Sequence, residues 1–179
     1  AKAPDCWSNL GDVPDPKALL VASIFFDYRR AGGALDLAPL DEILAEAKRK
    51  TAFLRLFASA SMEYHPPQHI LLRVRGDSST VDLKAQGLSP VVFLARCYGL
   101  EAGTRARSTL ERLDAAARAG LVTEEERATV SEAFRFVLGL RLRRELDALA
   151  RGATVTSRFS LGALTAIVGW SAGAKPTNH

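Results

Sequence analysis

Apolar residues recur every three or four positions through most of the chain, and the breaks between those runs carry helix-capping residues. The pattern predicts helices near 16–31, 39–63 (one helix or two), 90–101, 109–119, 124–151 and 160–171. Start signals precede them: Asp15 before Pro16, Ser89 before Pro90, and the capping boxes Ser108/Glu111 and Thr123/Glu126. Gly32–Gly33, Gly120 and Gly152 follow periodic runs as left-handed stops. One stretch, "HILLRVRGDSSTVDLK", has two short β-prone arms about Gly76–Ser79 and reads as a hairpin. The expected fold is all-α: an antiparallel helical bundle of about six helices with one small β-hairpin. Residues 1–15 are expected to form an extension or linker, 16–172 the helical domain and 173–179 a frayed tail.

Charges interrupt this pattern where apolar side chains are expected. On the helix 124–151, Val130, Phe134, Val137, Leu138, Leu142, Leu146 and Leu149 share one broad side at about 100° per residue, and Arg141 and Glu145 fall within it. Asp27 and Arg29 lie in the apolar run "LLVASIFFDYRR". Arg96 is the only charge between Lys84 and Glu101. Asp82 and Lys84 are expected on one side of a strand, and "STLERL" adds Arg112. A buried ion costs several kcal/mol unless it is paired and hydrogen-bonded. These groups therefore need each other, as internal salt bridges, or an anionic ligand received in an arginine-lined pocket. The residues alone leave both readings open.

Composition narrows the classes. The 179 residues, 47% hydrophobic and 25% charged, suit one globular domain. A net charge of +4, no basic run and 7% aromatics give no footprint for nucleic acid. Of the 24 cations, 18 are Arg, the side chain whose planar fork matches carboxylates and phosphates. Cys6 and Cys97 form no spaced framework, so a reducing, cytoplasmic setting is expected. The longest uncharged run, Leu161–Ala174, falls short of the ~20 residues of a membrane helix. The single methionine is Met62, which fits a chain cut from a longer polypeptide.

Self-sufficient chemistry is not legible. His65 and His69 have a helical metal-pair spacing, but Pro66 and Pro67 forbid a regular helix through them, and the third histidine is His179. Glu124–Glu126 suit the first turn of a helix rather than a metal. Ser78 and Ser79 are explained by a turn. No phosphate loop, nucleophile elbow or dinucleotide fingerprint is present, and no cofactor or metal is expected.

The ordered segments "FFDYRRAGG", "HPP", "VDLKAQGLSPVVFLARCYGL", "STLERLDAAARAGLVTEEE" and "EAFRFVLGLRLRRE" resemble the nucleotidyltransferase substrate-binding domain family over roughly Leu19–Trp170. The match runs through Phe26, Asp27 and Arg29; Asp82, Leu83 and Lys84; Gly87, Leu88, Pro90, Ala95 and Arg96; Thr109, Arg112 and Leu113; and Arg141 and Arg143. Ser108 and Glu145 depart from the Asn and Gln the family often carries. The resemblance implies a C-terminal module beside a nucleotidyltransferase domain in a bacterial signalling protein. It also implies that this chain is no enzyme on its own, since it lacks the Gly-Ser and Asp-x-Asp of the catalytic half. The expected role is to bind or position an anionic small-molecule or protein acceptor through Asp27, Arg29, Asp82, Lys84, Arg96, Arg112 and Arg141. The alternative is a regulatory or scaffolding bundle whose inner charges are structural. Neither nucleic acid nor membrane is an expected partner.

Overall fold

The computed structural model describes residues 23–29, 31–34, 36–62 and 80–160. They are predominantly helical: a 3₁₀ turn at Ser23–Asp27, α1 (Ala38–Ala47), α2 (Thr51–Ser61), α3 (Ser89–Glu101), α4 (Thr109–Arg118) and α5 (Glu124–Ala150). Two three-residue strands, β1 (Thr80–Asp82) and β2 (Arg158–Ser160), pair antiparallel, with Val81 opposite Phe159. The chain forms two compact units, which among the described residues comprise 23–62 with 91–132, and 80–90 with 133–160.

The core of the first unit is aromatic. Phe26, Phe53, Phe57 and Phe93 are buried. Phe26 meets Phe57 edge-on at 5.4 Å between ring centres, and Phe53 stacks on Phe57 at 6.1 Å. The spacing of Phe53, Phe57 and Ala60 puts all three on the inner face of α2, as the helical period requires. Leu113 and Ala116 do the same for α4.

Several sequence expectations hold at the ends of helices. Ser108 accepts a hydrogen bond from the Glu111 amide at 3.3 Å. Thr123 and Glu126 cap reciprocally: the Thr123 amide donates to Glu126 at 2.8 Å and the Glu126 amide to Thr123 Oγ1 at 3.2 Å. Gly120 and Gly152 end α4 and α5 with φ of +72° and +64°, a region that side chains with a Cβ rarely enter.

Other expectations are corrected. Of the helix predicted over 16–31, the described part is a 3₁₀ turn at Ser23–Asp27 followed by non-helical 28, 29 and 31; positions 16–22 and 30 lie outside the described residues. The segment expected as one helix or two is two, Ala38–Ala47 and Thr51–Ser61, separated by 48–50, which bears out the two-helix reading. The second arm of the predicted hairpin is β1, and it pairs with β2; the first arm and turn lie outside the described residues. Ser160, where a last helix was expected to start, is strand, and the remainder of that segment lies outside the described residues.

The extended reading of Lys84 also fails. Asp82 ends β1, and its Oδ1 accepts the amides of Lys84 and Ala85, both at 2.9 Å. That cap starts a π-helical segment, Leu83–Leu88, which runs directly into α3. Ser89 is therefore mid-segment rather than an N-cap, and its hydroxyl donates to the Lys84 carbonyl at 2.9 Å. In the same unit Val81, Leu83 and Leu140 are buried together, with Val137 packed against them.

The apolar stripe on α5 is corrected too. Leu142, Leu146 and Leu149 are exposed, whereas Leu140, outside that stripe, is buried. Arg141 and Glu145 are half-buried and pair with each other at 2.7 Å.

Candidate functional site

The first unit brings distant charges together beside its aromatic core. The 3₁₀ turn presents the Asp27 carboxylate, α3 presents Arg96 and α4 presents Arg112. Arg96 donates to Asp27 Oδ2 through one terminal nitrogen and to the Ser23 hydroxyl at 3.2 Å through the other. The Arg112 NH1 forms a second ion pair with Asp27, 2.7 Å from its Oδ1. Two guanidiniums thus share one carboxylate.

Arg112 is the most deeply placed of these groups, its side chain only 6% exposed. Its Nε donates to the Ala106 carbonyl at 3.0 Å and its NH2 to the Phe26 carbonyl at 2.9 Å. Burial pulls its pKa below the usual arginine range, and Asp27 opposes that shift. Room for its stem comes from Gly99 on α3: a Cβ there would stand 2.9 Å from Arg112 Cγ. Arg96 in turn lies over the Phe93 ring, 5.1 Å from its centre, and its Nε is buried with no hydrogen-bond partner.

A second cluster adjoins the first through the loop before α4. Arg107 donates to the Tyr28 carbonyl at 2.7 Å, to the Arg105 carbonyl at 2.7 Å and to Asp41 at 2.9 Å. Its guanidinium stacks on the Tyr28 ring at 4.3 Å, and the Tyr28 hydroxyl donates to Asp41. The hydrogen bond from Tyr28 and the charge of Arg107 hold the Asp41 carboxyl below its ordinary pKa. Burial and the same hydrogen bond push the Tyr28 hydroxyl up.

Between the clusters lies a cavity of about 20 Å³, lined by Arg96, Arg105, Arg107 and Arg112 with Phe26 and Leu100. It has room for about one water-sized group, or one oxygen of a larger anion held at its mouth. Four arginine side chains contribute to its lining, and the only carboxylates tied to them by ion pairs among the described residues are Asp27 and Asp41. Arg105 is exposed and pairs with no carboxylate among the described residues.

Of the residues expected at the site, Asp27, Arg96 and Arg112 meet in this unit. Arg29 is in the same unit, on the surface. Asp82, Lys84 and Arg141 belong to the second unit. There the Asp82 carboxylate serves the π-helical start and accepts from Ser157 at 2.9 Å; those hydrogen bonds, led by the Ala85 amide, lower its pKa. Lys84 is exposed. Arg141 is occupied by Glu145. Tyr28, Asp41, Arg105 and Arg107 were not anticipated. Three of them lie outside regular structure, where periodicity says nothing, and the only available signal was "TRAR" immediately before the capping Ser108. His65, His69, His179 and Cys6 lie outside the described residues, as do Ser78 and Ser79. Among the described residues no group of three or more His, Cys, Asp or Glu could hold a metal, and no helix is long and apolar enough to cross a membrane.

Residues 51–167 match the family model described as "Putative nucleotidyltransferase substrate binding domain". The matched span begins after Asp27, Arg29 and Asp41, and includes Arg96, Arg105, Arg107 and Arg112. No curated protein and no solved structure matches the chain.

Proposed function

The chain belongs to the nucleotidyltransferase substrate-binding domain family, and from that premise we propose that it is a non-catalytic module that binds or positions an anionic acceptor for an adjacent nucleotidyltransferase domain in a bacterial signalling protein. The observation that carries this reading is the convergence of four arginine side chains on the lining of one small cavity, with two carboxylates paired to them. An anion at the mouth meets the exposed Arg105 first, with Arg96 and Arg112 behind it as a fixed positive field. Arg29, on the surface of the same unit, is a further expected contact of a larger acceptor. Asp27 and Asp82 orient backbone and guanidinium groups rather than touch the ligand.

The test is thermal unfolding of the chain with inorganic phosphate or pyrophosphate, against chloride at equal ionic strength. An anion present at 100 times its Kd stabilises by about 2.7 kcal/mol, and at 2–4 °C per kcal/mol for about this size that is a rise of roughly 5–11 °C. Arg105→Ala should abolish the rise and leave the unliganded Tm unchanged.

A regulatory or scaffolding role has one observation in its favour. Arg107 and Arg112 direct most of their donors at main-chain carbonyls, of Tyr28, Arg105, Phe26 and Ala106, as staples do. That reading predicts no stabilisation by either anion.

A further inference from the structure

Beside the arginine-lined cavity lies a lysine that no carboxylate engages among the described residues. Asp41, Leu44 and Lys48 recur at i, i+3 and i+7, which places them on one face of α1 and its C-cap. Asp41 is tied to Arg107 and Leu44 lines the cavity, so that face looks onto the loop before α4. Lys48 continues the row and lays its side chain against Gly103. A Cβ on Gly103 would stand 2.7 Å from Lys48 Cδ and 3.3 Å from its Nζ. Gly103 has a φ of +66°, so glycine serves both the turn and this close approach. The next two residues of the turn, Thr104 and Arg105, line the cavity, and consecutive Cα atoms are only about 3.8 Å apart. An ammonium group thus shares one tight turn with Arg105.

The charges around that turn do not cancel. Glu46 is held by Arg49 at 3.1 Å, and Asp41 by Arg107 at 2.9 Å, where it also feels the charge of Arg105. Glu42 lies about 120° round α1 from Lys48. Glu101 lies about 100° round α3 from Leu100, on the side of Cys97 rather than of the cavity. Glu111 on α4 is exposed, and none of these last three joins an ion pair among the described residues. Against the paired Asp27 and Asp41 stand Lys48 and the four arginines of the lining.

Size decides how the surplus is used. A cavity of about 20 Å³ takes one oxygen of an anion. Arg96, in its wall, has a buried Nε with no hydrogen-bond partner, a donor still open to an acceptor. The rest of the anion stays outside, against the turn. One anionic group there uses the exposed Arg105; Lys48 remains for a second group joined to the first. With one oxygen in the cavity, a phosphoryl group keeps oxygens for both Arg105 and the link to its neighbour, which a carboxylate does not. Lys48 also precedes the matched residues 51–167, so the family resemblance does not assign it. Resting on the anion-site reading above, we infer that Lys48 is a ligand-binding residue and that the site takes a diphosphate, free or carried by a nucleotide.

Isothermal titration calorimetry at fixed ionic strength, without divalent metal, compares inorganic phosphate, pyrophosphate and ADP on wild type, Lys48→Gln and Lys50→Gln. Wild type should bind pyrophosphate at least tenfold more tightly than phosphate, or about 1.4 kcal/mol. Lys48→Gln should cut that ratio to threefold or less, with phosphate binding and Tm as in wild type, because the residue is exposed. Lys50→Gln, which removes an exposed cation two positions on, should keep the ratio. ADP bound like pyrophosphate supports a nucleotide as the source of the diphosphate; ADP bound more weakly supports the free ion. Pyrophosphate bound no more tightly than phosphate, an unchanged ratio in Lys48→Gln, or an equal loss in Lys50→Gln overturns the inference and leaves the anion site standing. Failure of both phosphate and pyrophosphate to bind overturns the two together.

Discussion

Replacing Asp27 with asparagine keeps the shape of the side chain and removes the charge that Arg96 and Arg112 share. The side chains of these arginines are 12% and 6% exposed. Each pair, at a charge separation of about 4 Å, is worth roughly 4 kcal/mol at an effective dielectric of 20. Desolvation offsets most of that in the wild type, so the relevant magnitude is the cost of stranding buried charges, about 3–5 kcal/mol. Asp27 is itself 34% exposed and partly hydrated, which favours the lower end, about 3 kcal/mol. For about this chain length that corresponds to a Tm loss of roughly 6–12 °C. Thermal and urea unfolding of wild type, Asp27→Asn, Arg96→Gln and the double variant close a cycle, and contacting residues of this kind couple by about 0.5–3 kcal/mol. The loss should persist in 0.5 M salt, because buried pairs are poorly screened. A loss under about 1 kcal/mol, or one that salt erases, refutes the idea that these charges meet inside the fold.

Two further outcomes follow from the same cluster. Because the folded-state pKa of Asp41 lies below its unfolded value, its contribution is complete above the ordinary carboxylate pKa of about 4 and is lost as pH falls through the folded value. Stability measured by urea unfolding from pH 6 to pH 2 should therefore fall less steeply below pH 4 in Asp41→Asn than in wild type. Gly99→Ala should destabilise by about 1–2 kcal/mol: overpacking costs about 1–3 kcal/mol, while the helix propensity of alanine returns up to about 1. The clash is with the stem of Arg112, whose head is fixed by Phe26, Ala106 and Asp27. Adding Arg112→Ala should remove the penalty specific to Gly99→Ala, read as non-additivity in the denaturation midpoints.

What the sequence determined by itself was local. Period, caps and glycine stops placed α4 and α5 to within about a residue at each end, since those signals act over one or two turns of backbone, whereas the cap read before α3 was not one. It also singled out Asp27, Arg96 and Arg112 as ions that could not stand alone in apolar segments, because the penalty for burying an unpaired charge applies wherever the segment ends up. Tertiary structure decided the rest. The side of α5 that faces its core depended on where Val81 and Leu83 came to lie, and seven apolar positions on one broad arc did not reveal that Leu142, Leu146 and Leu149 would be left outside. Which partner each ion takes was likewise non-local. Asp27 reaches Arg96 across 69 positions, and Arg112 reaches the Phe26 carbonyl across 86. Tyr28, Asp41 and Arg107 form a site only because chain folding brings a non-helical stretch, a helix start and a loop within hydrogen-bond reach. Periodicity records how a residue faces its own helix; it carries no information about what another part of the chain will place opposite.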